Sequence, residues 1–337
     1  MRAGTQEYLH SFQEKIQIIG KLDFDSCRDY IRALPALYRS DIEFRLLFDW
    51  HFSPQGRQLT DEETHPLFQF QRAIAYSLGK QFSLDYQFLQ FFIFHAMNDM
   101  RGKKILEIGG SLPNAMLFDL FEVAEYINNE SPDYIQAESG DSNSSRHGEH
   151  PYRTTVIVNA EEIHNILDHN SIDAVFSVAC FEHIYDLDLA LQSCYKVTKK
   201  GGILYSFFAP IYSYLTDGHH GVIPQHPRFS ETPWGLHLLT PQDQRKFLQH
   251  NGIQNPKEIQ EFLGSVNFDR VPNRLKFEDY SRILTESPYY VVKLDEVAPN
   301  HNISKRFPSE TRRVRNSNPG IKNLHSQGFR VVLQKLE

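Results

Sequence analysis

Cysteine is scarce: Cys27, Cys180 and Cys194 are the only three in 337 residues. Their positions form no metal-ligand pattern and too few pairs for a disulfide framework, which points to a reducing compartment. Positive charge is in deficit as well. Thirty-five Lys and Arg against 42 Asp and Glu leave a net charge of −7, which removes the general attraction toward nucleic acid or an anionic membrane. Long apolar runs are missing. The longest, FLQFFIFHAM from Phe88 to Met97, is about half of what a membrane-spanning helix needs and reads as a buried helix. The first residues, MRAGTQEYLHSF, have no apolar core and do not read as a signal peptide. The expected location is therefore the cytoplasm. No repeat of fixed period occurs. What remains is ordinary globular composition with 25 Phe and 16 Tyr, enough aromatic surface to line a pocket.

The first hundred residues read as helical. QEYLHSFQEKIQIIG (6–20) and CRDYIRALPALYRSDIEFRLLFDW (27–50) carry apolar residues at helical spacing. SLDYQFLQFFIFHAMNDMRGKK (83–104) reads as a helix capped by Ser83 and closed near Gly102. From Lys103 strands and helices alternate. The expected strands are KKILEI, AEYINNE, RTTVIVNA, SIDAVFSVA and GGILYSFFAP, with helices at NAMLFDLFEV, EEIHNILDH and DLDLALQSCYKVT. The polar stretch 131–152 reads as a surface insertion. TPQDQRKFLQHNG is a helix with Thr240 as N-cap, Pro241 at its first position and Gly252 at its end. Further helices are expected at 258–266 and 276–287, and strands at 289–297 and 328–336 that finish the sheet. SKRFPSETRRVRNSNPG (304–320) is basic and polar. It reads as a solvated loop in preference to an RNA contact, given the acidic whole and the absence of interleaved aromatics.

The chemistry concentrates at ILEIGGSLPN (105–114), where an apolar strand runs into a glycine turn and then a helix. Glycine lets backbone approach a ligand, and Glu107 sits near the strand end where open α/β sheets bind ligands. A dinucleotide site would want G-x-G-x-x-G; Gly109 and Gly110 are followed by Ser111 and Pro113, so a nicotinamide dehydrogenase fails on this spacing. An acidic residue before such a turn suits a ligand with a cationic amino-acid end. EIGGSLP resembles the first half of the E/D-x-G-x-G-x-G motif of class I S-adenosylmethionine-dependent methyltransferases. ACFEHI, after the fourth strand, resembles the "EH" signature of their small-molecule members. The resemblance covers residues 103–252 and rests on the ordered set of five elements. It implies a Rossmann-like α/β fold: a seven-stranded, mostly parallel sheet with helices on both faces. Residues 1–98 would be a helical extension, residues 99–337 the methyltransferase domain, with a lid insertion at about 212–239 after strand 5.

The same resemblance implies the site. Glu107, Gly109, Gly110 and Ser111 would hold the amino-acid end of S-adenosylmethionine. Glu130, with Glu125 as rival, would hold the ribose hydroxyls, because a carboxylate accepts two hydrogen bonds at once. Asn159 and Ala160 would meet the adenine, although Asn159 equally suits a helix N-cap. Val178 would pass beside the cofactor. Glu182 and His183 would face the acceptor or cap the next helix.

The stretch TDGHHGVIPQHPRFSETPWGLHLLT (216–240) then reads as the acceptor-side lid. His219, His220 and His237 are rival general bases, since imidazole titrates near neutrality, and Trp234 is a candidate pocket wall. Three histidines with Glu182 or Asp217 would supply donors for a divalent ion, but no H-x-x-H or H-x-x-x-H spacing supports a metal. The expected reaction is methylation of a hydroxyl on a sugar or specialised metabolite, EC class 2.1.1. The expected partner is that small molecule, with no nucleic acid and no membrane, and a homodimer is admitted. Rivals are an N-methyltransferase acting on a small molecule, protein or nucleic acid, or a non-catalytic partner that kept the fold. Against the nucleic-acid rival, no Asn/Asp-Pro-Pro-Tyr motif follows the fourth strand.

Overall fold

A computed structural model describes residues 24–51, 86–132, 148–215, 235–266, 273–297, 303–306 and 308–337. Seven strands form one sheet: β1 (Lys104–Ile108), β2 (Glu125–Glu130), β3 (Arg153–Ile157), β4 (Ile172–Val178), β5 (Thr198–Phe208), β6 (Tyr290–Val297) and β7 (Gly328–Gln334). Their order is β3-β2-β1-β4-β5-β7-β6. The pairs β1–β2, β2–β3 and β1–β4 are parallel, and β7 is antiparallel to both β5 and β6. This is the expected seven-stranded, mostly parallel sheet, with helices between the strands. Among the described residues no helix is long and apolar enough to cross a membrane. By contacts the chain divides into two compact units: residues 1–159 with 171–178, and residues 160–170 with 179–337.

The first unit holds β1 to β4 with helices α1 (Phe24–Ser40), α2 (Ile42–His51) and α3 (Tyr86–Asn98). In α1 the residues Ile31, Leu34 and Tyr38 recur at helical spacing and are buried. Asp25 in its first turn and Arg39 in its last suit the helix dipole. The run Phe88 to Phe94 makes α3 apolar on nearly every side, which is why it is buried. Phe91 meets Phe121 and Phe176 edge-to-face, each with ring centroids 5.1 Å apart, so α3 is fastened to β4 through Phe176. Ser83, expected to cap this helix, lies outside the described residues, as does 6–20.

The second unit holds β5 to β7 with α4 (Leu187–Val197), α5 (Pro241–His250), α6 (Pro256–Val266), α7 (Phe277–Glu286), α8 (Ile303–Arg306) and α9 (Pro308–Ser317). Asp186 caps α4 by accepting from Leu189 N at 3.0 Å, and Thr240 caps α5 by accepting from Asp243 N at 3.2 Å. Gly235 has φ +70°, and a Cβ there would lie 2.6 Å from Val314, so both conformation and space require glycine. The Lys335 ammonium donates to Asn170 Oδ1 (2.8 Å) and to the carbonyls of Tyr195 (2.8 Å) and Thr198 (2.9 Å), tying the chain's end to the C-terminus of α4.

Three elements depart from expectation. NAMLFDLFEV forms a single π-helical turn, Ala115–Leu120, and EEIHNILDH a 3-10 helix, Ala160–Asn165. The basic stretch 304–320, expected as a loop, is mostly helical. Its anchor is Val314, fully buried among Leu215, Leu236 and Leu324. Thr311 is buried as well, and the Arg313 guanidinium lies 4.7 Å from the centre of the Phe247 ring; too little apolar periodicity remains for the sequence to reveal the helix.

His95 is fully buried and joins α1 to α3. Met100 N donates to its Nδ1 (3.2 Å), so Nε2 carries the proton and donates to the Ile31 carbonyl (2.9 Å). Burial pushes this imidazole down to about 4 from 6.5. Between those values the unfolded chain binds a proton that the folded chain refuses, so stability is complete above about 6.5 and falls as the pH drops toward 4. The loss from this residue between about pH 7.5 and 5 is about 2 kcal/mol. Urea titrations should find that His95→Gln reduces the acid-dependent loss by about that amount; equal losses in both proteins would contradict the assignment.

Candidate functional site

In the first unit a polar face is built into an otherwise apolar sheet. Strand register sets Glu107 beside Asn128 and Tyr126 beside Arg153. Alternation along β2 puts Tyr126, Asn128 and Glu130 on that one face. All three are buried, as is Glu107. β1 ends at Ile108, and Gly109 follows with φ +72°, its N–H donating to the Asn129 carbonyl at 3.0 Å. A Cβ on Gly110 would overlap the Glu107 carboxylate, so the turn must be bare there. Glu107 Oε2 accepts from Leu112 N at 3.2 Å and from the Tyr126 hydroxyl. Burial and the Glu107 charge push the Tyr126 phenol well above its usual range, so it stays a donor.

Ser111 lies on the turn, its Oγ 2.6 Å from Arg153 Nη2. Glu130 ends β2 and accepts from Asn128 Nδ2 at 2.7 Å. Glu125, its rival, opens β2 at the opposite end and pairs with Lys104 at 2.7 Å. Asn159 accepts from Ser131 Oγ at 3.0 Å. Val178 closes β4, one residue past Ser177, which is in register with Ile108. Glu107, Gly109, Gly110, Ser111 and Glu130 thus come together around the C-terminal ends of β1 and β2.

The second unit carries Ala160, expected at the adenine, and the expected acceptor-side residues that are described. Ala160 opens the 3-10 helix and is buried. After β4 the chain turns at Ala179, which has φ +50°. Glu182 is fully buried, and among the described residues its carboxyl oxygens find no hydrogen-bond partner on another residue. Burial pushes it up to about 8 from 4.5, so at neutral pH it is a carboxylic acid. Its loop is clamped by Asn273, whose N–H donates to the Glu182 carbonyl (2.9 Å). Asn273 Nδ2 donates to the carbonyls of Phe181 (2.9 Å) and Ile184 (2.8 Å). The Tyr280 hydroxyl holds Asn273 Oδ1 at 2.6 Å. His183 is exposed. His237 is buried; its Nε2 lies 2.9 Å from the Tyr212 carbonyl, and the Tyr212 hydroxyl donates back to the His237 carbonyl at 2.8 Å. A carbonyl only accepts, so Nε2 carries the proton and the lone pair is on Nδ1. His219, His220 and Trp234 lie outside the described residues.

Sequence reasoning missed Tyr126, Asn128, Arg153 and Asn273. The first two leave a signal: EYINNE places Tyr, Asn and Glu at period two in a strand that should be apolar on both faces. Arg153 is found only through the pairing of β3 with β2, and Asn273 only through tertiary contact.

The S-adenosylmethionine suggested by the turn fits these residues. The turn is bare at Gly110, carboxylates stand at the ends of β1 and β2, and the buried Asn128 Oδ1 meets no hydrogen-bond donor among the described residues. Strand order and cradle together define the Rossmann-like arrangement of class I methyltransferases. Residues 127–206 match the family model described as a methyltransferase domain. The matched segment and the strand order are those of a class I S-adenosylmethionine-dependent methyltransferase domain, a class whose cofactor is S-adenosylmethionine.

Solved structures of similar fold include a Haemonchus contortus phosphoethanolamine N-methyltransferase 2 holding phosphomonomethylethanolamine and S-adenosylhomocysteine. It shares 12% identity over 82% of this chain and 59% of that one, with a TM-score of 0.44. A geranyl diphosphate C-methyltransferase from Streptomyces coelicolor, solved with Mg2+, geranyl diphosphate and S-adenosyl-L-homocysteine, shares 9% identity over 79% and 84%, TM-score 0.40. An S-adenosylmethionine-dependent methyltransferase from Mesorhizobium loti shares 11% over 70% and 92%, TM-score 0.39. Likeness at this level says nothing about the acceptor. No curated protein matches the sequence.

Glu182 gives a pH signature. Between 4.5 and about 8 the unfolded chain has released a proton that the folded chain keeps, so stability falls as pH rises through this window. Glu182→Gln should remove roughly 3 kcal/mol of the loss between about pH 5 and 7.5. Thermal and urea melts that show parallel pH profiles for both proteins would refute the buried acid.

Proposed function

We propose that the protein is an active methyltransferase (EC 2.1.1) that moves the methyl group of S-adenosylmethionine to a hydroxyl of a small molecule, a sugar or specialised metabolite. The observation that carries this reading is the polar cradle of Glu107, Asn128 and Glu130 around a bare glycine turn. Such a set of buried acceptors matches a ligand with an ammonium at one end and a ribose diol further along. Glu107 and the turn from Gly109 to Ser111 would hold the amino-acid end, and Glu130 the ribose. Asn159 and Ala160 would meet the adenine, with Val178 as a wall.

When bound, the cofactor supplies a methyl group already activated on a sulfonium cation. The chain's own work is to orient the acceptor, exclude water and take a proton from its hydroxyl. His219, His220 or His237 would take that proton. For His237 the nitrogen able to accept is Nδ1, since Nε2 donates to Tyr212. Glu182, neutral at pH 7, would donate a hydrogen bond to the acceptor, with His183 and Trp234 beside it. We further read residues 1–98 as a helical extension and 99–337 as the catalytic domain with its lid at about 212–239. The acidic balance supports a free small molecule in the cytoplasm as substrate rather than nucleic acid; whether a homodimer forms is open to sedimentation.

Radiolabelled methyl transfer to a panel of hydroxyl and amine acceptors tests the acceptor class: label should enter the hydroxyl compounds. Among His219→Ala, His220→Ala and His237→Ala, one should lower kcat by about a hundredfold or more while S-adenosylhomocysteine affinity holds. Full turnover in all three would refute the histidine base, and label found only in amines would refute the hydroxyl acceptor.

A further inference from the structure

The cofactor turn lacks what usually shapes such a turn. After Gly110 the chain reads Ser111, Leu112, Pro113 and Asn114, and the element that follows is one π-helical turn, Ala115–Leu120. Asn114, at its N-cap, makes no side-chain capping bond. Neither glycine geometry nor a long helix dipole therefore organises residues 111–114.

Arg153 does so instead. Its Nη2 donates to Ser111 Oγ at 2.6 Å, and its Nη1 to the Leu112 carbonyl and to Asn114 Oδ1, each at 2.8 Å. Its guanidinium lies 4.8 Å from the centre of the Tyr126 ring, and the Tyr126 hydroxyl donates to Glu107. Leu112 is thus gripped from both sides, its N–H by Glu107 and its carbonyl by Arg153. The planar fork of arginine meets three acceptors at once, which the point charge of lysine does not.

We propose that Arg153 is a positioning residue for cofactor binding. It holds the turn from Ser111 to Asn114 in the shape that receives the amino-acid end of S-adenosylmethionine. The inference rests on the reading given above, that this turn faces that end. Among the described residues its hydrogen bonds all go to the turn, at Ser111, Leu112 and Asn114, so removing Arg153 should weaken chiefly ligands that carry the amino acid.

Two probes separate these cases. S-adenosylhomocysteine has the amino-acid end; 5′-methylthioadenosine keeps the adenosine and sulfur without it. Calorimetry on the full chain should show Arg153→Ala weakening S-adenosylhomocysteine by about tenfold or more, with 5′-methylthioadenosine changed less than about threefold. Guanidinium ion added at millimolar concentration should restore part of the loss. Arg153→Lys, which keeps the charge, should fall between the two and serves if Arg153→Ala does not fold. Equal weakening of both probes, or no weakening in either variant, overturns the proposal. Wild-type protein that binds neither probe overturns the cofactor reading beneath it. Wild-type protein that binds both equally shows that the turn does not meet the amino-acid end.

Discussion

The buried carboxylate of Glu107 is the interaction on which the cofactor half of the molecule depends. It sits at the end of β1 in a sheet that offers it no water, so it must be supplied with donors from the protein. Leu112 N and the Tyr126 hydroxyl supply them. The first shapes the glycine turn and the second fastens the turn to β2. Gly110 has to be bare because that same carboxylate fills the space a side chain would take. A fixed carboxylate at this place builds the turn, and in the proposed function it is also the acceptor for a cationic ligand end.

The rest of the cradle follows from strand register. Once β1 pairs with β2 as Glu107 to Asn128, Tyr126 and Glu130 fall on the same face, and β3 brings Arg153 alongside Tyr126. In the second unit a different logic holds. Glu182 is a buried acid whose carboxyl meets no partner side chain among the described residues, and its backbone is kept in place by Asn273, itself held by Tyr280. A group retained at such a desolvation cost, in a loop clamped this firmly, suits a role toward a ligand better than a role in stability.

Most of the fold was legible in the sequence, for a physical reason. Buried parallel strands must be short apolar runs bounded by polar or glycine residues, and KILEI and IDAVFSV read so directly. The helices of 303–317 were not legible, because the basic and polar sequence from 304 to 320 carries no apolar stripe. Of the candidate site, Glu107, Gly109, Gly110 and Glu130 were marked from the sequence by their places at strand ends, and the structure brings them together there. Arg153 and Asn273 were not, since each acts on residues that only tertiary pairing brings near. The unusual state of Glu182 is likewise a product of burial, which no local pattern discloses.

Titration of S-adenosylhomocysteine into the intact chain, followed by calorimetry, tests the central claim most directly. Wild-type protein should take up one equivalent, and Glu107→Gln, which keeps the shape but removes the charge, should weaken binding by about tenfold or more. An absence of binding to wild-type protein, or unchanged affinity in Glu107→Gln, would contradict the account.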